Sequence, residues 1–189
     1  MSPTVRSCHN AAILHKYAGP VQRVAVVGSP GAGKTSFAEL LATVTGLPLI
    51  HLDEEFWRPG WIETPREEWI VRQSALVAAE RWIIEGNYSA TFDVRFARAD
   101  TVIVLAAPRR VCLYRVLRRE IVNWGRETQA PGCPERFDVE FMKLVWKFPR
   151  DSAPRLAEAL SRFQKSVTVE YLDDERAKRD YLSDLAGLS

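Results

Sequence analysis

Short, wholly apolar runs recur along the chain, and between them apolar residues return at helical spacing. Residues 22–27 (QRVAVV), 47–52, 81–85 (RWIIE), 101–106 (TVIVLA) and 166–171 predict five strands. Several are apolar throughout instead of alternating, as strands buried on both faces are. Phe37, Leu40, Leu41 and Val44 predict a helix that Gly46 and Pro48 close. Residues 65–79 predict another, opened by Pro65 with Glu67 and Glu68 in its first turn. A basic helix follows over 109–123. Phe137, Phe141, Leu144, Val145 and Phe148 mark a fourth, 154–163 a fifth and 175–185 a last. Strands alternating with helices predict an α/β fold, a parallel sheet covered on both faces. There is neither repeat nor low-complexity linker, so 21–189 reads as one domain. Residues 1–20 read as a polar extension with a short helical turn at 11–17.

Composition narrows the class without naming a chemistry. The chain has 189 residues, 47% hydrophobic and 26% charged. One core of that size buries roughly 70% of the unfolded surface, so no staple is needed. A net charge of +2 makes no global case for a nucleic-acid or membrane partner. Cys8, Cys112 and Cys133 are odd in number and widely spaced, which fits a reducing, cytoplasmic setting and no disulfide framework. No apolar run reaches membrane-spanning length.

Gly28-Ser29-Pro30-Gly31-Ala32-Gly33-Lys34-Thr35, continued by Ser36, satisfies the phosphate-loop pattern G-x-x-x-x-G-K-[ST] between a strand and a helix. Glycines let backbone N–H groups curl around phosphate oxygens, and the helix start aims its dipole at the same anion. Lys34 reaches the β- and γ-phosphates of ATP, and the Thr35 hydroxyl ligates Mg²⁺. A second carboxylate belongs at the end of a neighbouring strand. Glu85 and Asp53 both qualify; Glu85, followed by Gly86, is the metal candidate. Asp53 is then available for an acceptor hydroxyl or to share the metal, while Asp100 precedes its strand and lies at the far edge.

Asp53 opens an acid–aromatic stretch, DEEFWRPGW. Asp53, Phe56, Trp57, Asn87 and Tyr88 form the expected acceptor site, within a region of about 53–80. Glu54 and Glu55 are expected in solvent and Trp61 in the core. Arg109, Arg110, Arg115, Arg118, Arg119 and Arg126 crowd eighteen residues against Glu120 alone, and Arg115, Arg118 and Arg119 share a face. Such a face clamps a transferring phosphoryl group. With Arg150 they are the expected lid arginines, in a region of about 115–150 that includes the mobile-looking segment 127–138 (ETQAPGCPERFD). Lys34, Asp53, Arg115 and Arg119 are the catalytic candidates. His9, His15 and His51 read as structural or surface groups, and Cys112 and Cys133 as packing.

GSPGAGKT, LPLIHLDEEFWRPGW, EEW, WIIEGNYS, the arginine helix after AAPRR and GCPERFDVEFMKLVWKFPR together resemble the adenylate-kinase-like P-loop proteins called topology modulation, or FlaR-like, proteins. The resemblance covers residues 22–172. It implies a three-layer nucleoside/nucleotide-kinase-like fold with a five-stranded parallel sheet in order 2-3-1-4-5. It also implies an acceptor region after the second strand, an arginine-bearing lid, and adenine packing between the 173–176 loop and the basic helix. Glu85 stands where the family usually carries aspartate. The function expected is ATP- and Mg²⁺-dependent phosphoryl transfer to a small acceptor, a nucleoside or nucleotide. The alternative is a nucleotide-gated ATPase that binds DNA or a protein.

Overall fold

The computed structural model describes residues 21–187; the helical turn expected at 11–17 lies outside them. Strands β1 (Arg23–Gly28), β2 (Leu49–His51), β5 (Trp82–Glu85), β6 (Thr101–Leu105) and β7 (Thr168–Leu172) form one sheet in the order β2-β5-β1-β6-β7. All its pairings are parallel. Counting only these strands, the order is second, third, first, fourth, fifth, as expected.

Alternate residues of the central strands feed two cores. Ala25, Val27, Ile84, Val102 and Val104 pack with Trp69 of α3 (Arg66–Leu76), Phe92 and Phe96 of α4 (Phe92–Phe96), and Leu156 and Leu160 of α7 (Ala153–Phe163). Val24, Val26, Ile83, Ile103 and Leu105 pack with Phe37 and Leu41 of α1 (Lys34–Thr45) and Tyr181 of α8 (Glu175–Gly187). Period-two alternation thus serves a sheet covered on both sides, the reason these runs read as continuous apolar stretches. Helices α5 (Arg109–Val122) and α6 (Val139–Asp151) pack together through Cys112, Val116 and Val145 beside the sheet. Among the described residues no helix is long and apolar enough to cross a membrane.

Three features depart from the sequence reading. The second strand stops at His51, and Leu52 starts a five-residue helix, α2 (Leu52–Phe56). A small antiparallel hairpin then pairs β3 (Trp57–Arg58) with β4 (Ile62–Glu63). Residues Ser89–Thr91 make a 3₁₀ turn that leads into α4. Each is too short to carry a readable period.

Gly28 ends β1 and begins the phosphate loop. A Cβ there would lie 1.9 Å from the Leu105 carbonyl oxygen, and φ is +127°, a region reserved for glycine. Gly28→Ala therefore separates β1 from β6. The expected loss is about 3 kcal/mol or more of unfolding free energy, read from urea or thermal denaturation.

Candidate active site

Parallel strands put the carboxyl ends of β1, β2, β5 and β6 along one edge of the sheet, where the loops meet. The phosphate loop leaves β1 there. Gly31 (φ +78°) approaches α5 so closely that a Cβ would sit 2.6 Å from the Cys112 carbonyl oxygen. Gly33 (φ +88°) caps α1 in the left-handed region, so the helix starts at Lys34 with its first amides facing the loop. Lys34 Nζ donates to the Ser29 carbonyl at 3.3 Å. Burial lowers the Lys34 pKa, opposed by the charges of Glu85 and Asp53.

Thr35 and Glu85 converge from α1 and β5: the Thr35 hydroxyl donates to Glu85 Oε2 at 3.3 Å. His51, at the end of β2, places Nδ1 3.3 Å from the same oxygen. Register explains this meeting, since His51 and Glu85 are direct partners across the β2–β5 ladder. Burial alone would raise the Glu85 pKa, but the His51 hydrogen bond, the Lys34 charge and Thr35 together hold it below the usual range. The hydrogen bond that His51 donates to Glu85 raises the His51 pKa, with burial opposing. An ionised carboxylate beside a hydroxyl is a hard oxygen donor pair, which fits Mg²⁺ completed by phosphate and water. Among the described residues no group of three or more His, Cys, Asp and Glu side chains could hold a metal without such help.

Across the cleft, Asp53 sits in the first turn of α2, where acids suit the helix dipole. Its Oδ1 accepts a 2.6 Å hydrogen bond from the Tyr88 hydroxyl. Burial raises the Asp53 pKa, the Tyr88 bond opposes it, and the Glu85 charge raises it further. Tyr88 itself has φ +45°, unusual for a residue with a side chain. The buried Arg95 of α4 holds that turn by donating to the carbonyls of Gly86 (2.6 Å), Asn87 and Tyr88 (3.4 Å). Burial pushes the Arg95 pKa down to about 9. Asn87 faces the phosphate loop: its Oδ1 accepts from the Gly28 amide at 3.0 Å and its Nδ2 donates to the Gly28 carbonyl at 2.9 Å. Its carboxamide is thus engaged with the loop backbone, not pointed at the expected acceptor.

The aromatic residues line up beside Asp53. Phe56 touches Trp57, Trp69 and Tyr88 with centroids 4.7–5.1 Å apart, and Trp57 meets Trp61 edge-on at 5.4 Å. Trp61 is not a core residue. It is half-buried in the cleft wall with φ +61°, and its Nε1 donates to the Pro134 carbonyl at 2.9 Å. Glu54 is exposed as expected, whereas Glu55 is half-buried and pairs with Arg72 at 2.7 Å.

Arg115 and Arg119 line the cleft; Arg118 and Arg150 do not. The core face of α5 carries Cys112, Val116 and Glu120. Arg119 flanks that face, while Arg118 falls on its opposite side and is exposed. Arg150 is exposed and pairs with its neighbour Asp151 at 2.7 Å. Arg119 lies 3.3 Å from the buried Glu135, which also accepts from Thr128 and Gln129. The expected lid segment is joined to the β3–β4 hairpin. Gly60 donates to the Gly132 carbonyl at 2.8 Å, Cys133 Sγ to that of Arg58 at 3.2 Å, and Trp61 to that of Pro134. Arg136 lies over the Trp61 ring at 5.9 Å.

One cleft of about 1050 Å³ contains Lys34, Thr35, His51, Asp53, Trp57, Glu85, Tyr88, Arg115 and Arg119. That is room for two small-molecule ligands. The sequence reading missed His51, Arg95, Glu135 and Arg136 as site residues. No local spacing announces any of them; only the His51–Glu85 register could have been inferred, from the strand order.

No family model matches the chain. A protein of Natronomonas pharaonis named "Putative adenylate kinase" is 30% identical over 167 residues, covering 82% of this chain and 92% of that protein. A gluconokinase from Sinorhizobium meliloti 1021 superposes with a TM-score of 0.54 at 18% identity, covering 89% of this chain and 94% of that one. A shikimate kinase from Acinetobacter baumannii, solved in complex with shikimate, superposes with a TM-score of 0.51 at 16% identity over 89% and 92%. At those identities the two structures show the fold.

Asp53 has a folded pKa above its ordinary 3.8, so the native state holds its proton more tightly than the unfolded chain. Its contribution to stability therefore falls as pH rises from about 3.8 through the raised value. Asp53→Asn removes that penalty and keeps an acceptor for Tyr88. Its melting temperature at pH 7 is expected above the wild type's, by roughly 2–4 °C per kcal/mol relieved, and the difference should vanish in acid. Arg95→Met leaves the carbonyls of residues 86–88 unpaired and should cost about 3 kcal/mol or more, measured by chemical denaturation.

Proposed function

The chain belongs to the P-loop kinases, and we propose that it moves the γ-phosphoryl group of ATP, with Mg²⁺, to a hydroxyl of a small acceptor of nucleoside type. The observation that carries this reading is Asp53. Its carboxylate is pinned by Tyr88 at 2.6 Å in the same cleft as Lys34 and the phosphate loop. An acceptor that already bears a phosphate needs no general base, whereas a hydroxyl acceptor does.

In this mechanism the loop amides and Lys34 hold the β- and γ-phosphates. Thr35 and Glu85 would hold Mg²⁺, which would supply neutralisation of charge on the phosphate oxygens. The acceptor lies against Trp57 and Trp61 with its hydroxyl on the Asp53 oxygen that Tyr88 leaves unused. Asp53 takes the hydroxyl proton as the acceptor oxygen bonds to γ-phosphorus and the bond to the β–γ bridging oxygen breaks, releasing ADP. Lys34, Arg115 and Arg119 stabilise the charge spread over the transferring phosphoryl group. His51 orients the Glu85 carboxylate by hydrogen-bonding one oxygen. The 30% identity to a protein named "Putative adenylate kinase" supports a nucleoside-like acceptor over a sugar.

A second reading is a nucleotide-gated DNA-binding ATPase, the narrower topology-modulation assignment. The exposed cations Arg110 and Arg118 of α5 favour it. DNA affinity that falls steeply with salt, without phosphorylated product, selects that reading over the kinase.

A panel of nucleosides, nucleotides and sugars with ATP and Mg²⁺, read by coupled ADP release, tests the kinase. With the acceptor that turns over, Asp53→Asn should lower kcat by roughly 10²–10⁴-fold and leave the KM for ATP within about threefold. An unchanged kcat in that variant assigns a phosphate acceptor instead. Lys34→Met should abolish transfer to every acceptor.

A further inference from the structure

The phosphate loop has two lysines beside it, and the motif accounts for one. Lys178, in α8, is 6% exposed. Its ammonium crosses 146 residues of sequence to donate to the Ala32 carbonyl at 2.7 Å. It also donates to Glu175 Oε1 at 3.0 Å, and the same oxygen accepts from Arg115 Nη2 at 3.0 Å. Both cations lie against the loop: a Cβ on Gly33 would sit 3.6 Å from Lys178 Nζ and 3.8 Å from Arg115 Nη1.

A loop that turns its amides toward an anion must turn carbonyls away from it, and a buried carbonyl needs a donor. Ala32 is fully buried, and its own N–H returns to the Ser29 carbonyl at 3.1 Å. The Gly33 carbonyl takes the first helical bond, from Phe37. The Ala32 carbonyl has no such partner within the loop; its donor is Lys178. The amides of Gly33, Lys34 and Thr35 belong to the helix start, where an α-helix cannot pair them internally.

We propose that Lys178 is a positioning residue of the phosphate loop, holding the Ala32 carbonyl outward so that the helix-start amides converge on the nucleotide phosphates. It acts through backbone, not on the reacting atoms. Glu175 keeps the ammonium aimed by balancing it against Arg115, which joins α8, α5 and the loop at one point. The inference rests on the phosphate-loop reading above, and the two are separable.

The test is calorimetric titration of the full chain with ADP and Mg²⁺. Wild-type binding tests the phosphate-loop reading itself; the ratio of variant to wild-type affinity tests Lys178. Lys178→Met removes the donor and should weaken ADP by about tenfold or more. Lys178→Gln restores an uncharged N–H donor and should bind within about threefold of wild type. Glu175→Gln keeps Lys178 on its carbonyl and should also stay within about threefold. Lys178→Met binding within twofold of wild type overturns the proposal. So does Lys178→Gln as weak as Lys178→Met, because the effect would then be charge and not backbone placement. Should Lys178→Met fail to fold, as judged by circular dichroism, Lys178→Gln decides alone: a loss of about tenfold or more overturns the assignment, and near wild-type affinity supports it.

Discussion

The geometry of the cleft is referred to the backbone of Gly28. On one side it touches β6 so closely that no side chain fits, with the Leu105 carbonyl 1.9 Å from the place of a Cβ. On the other, the Asn87 carboxamide closes on both its N–H and its C=O. The phosphate loop is thereby registered to β6 and to the turn after β5 at once. Glu85, Asn87 and Tyr88 follow one another at the end of β5, so the carboxylate beside Thr35, the clamp on Gly28 and the hydroxyl on Asp53 share one origin. A shift at Gly28 would move all of them relative to Lys34.

Buried cations are the second theme, and they are held by carbonyl oxygens more than by carboxylates. Arg95 is fully buried and donates to three successive carbonyls. Lys34 and Lys178 each reach a carbonyl of the phosphate loop. A carbonyl partner orients backbone without cancelling the cation's charge. The loops are thus fixed while Lys34 and Arg95 keep their charge. The acids behave in a complementary way. Glu85 is held ionised by His51, Lys34 and Thr35 against its own burial, while burial of Asp53 favours its proton-bound form. Carboxylates with such opposed environments suit the separate tasks of holding a cation and taking a proton.

The roof of the cleft joins segments that the sequence separates widely. The β3–β4 hairpin and the 127–138 segment share backbone bonds at Gly60 and Gly132 and the Trp61 bond to Pro134. Pro59 packs against Gly132, where a Cβ would lie 2.7 Å from the proline ring. The aromatic wall and the arginine-bearing side therefore meet as one surface of the cleft, with Arg119 anchored to it through Glu135.

Local patterns in the sequence determined the five apolar strands, most of the helices, the phosphate loop and the acid that ends β5. Those signals are local: a period of two or 3.6, a glycine where φ is positive, an acid one step past an apolar run. The tertiary structure alone decided which arginines reach the cleft, because the rotational phase of α5 is set by packing Cys112, Val116 and Glu120. It alone buried Arg95 under the 86–88 turn and brought Lys178 to Ala32. Trp61 was expected in the core and instead walls the cleft, since its indole N–H finds its acceptor 73 residues away. Each of these depends on a partner distant in the chain, and no spacing within one segment can encode a partner supplied by another.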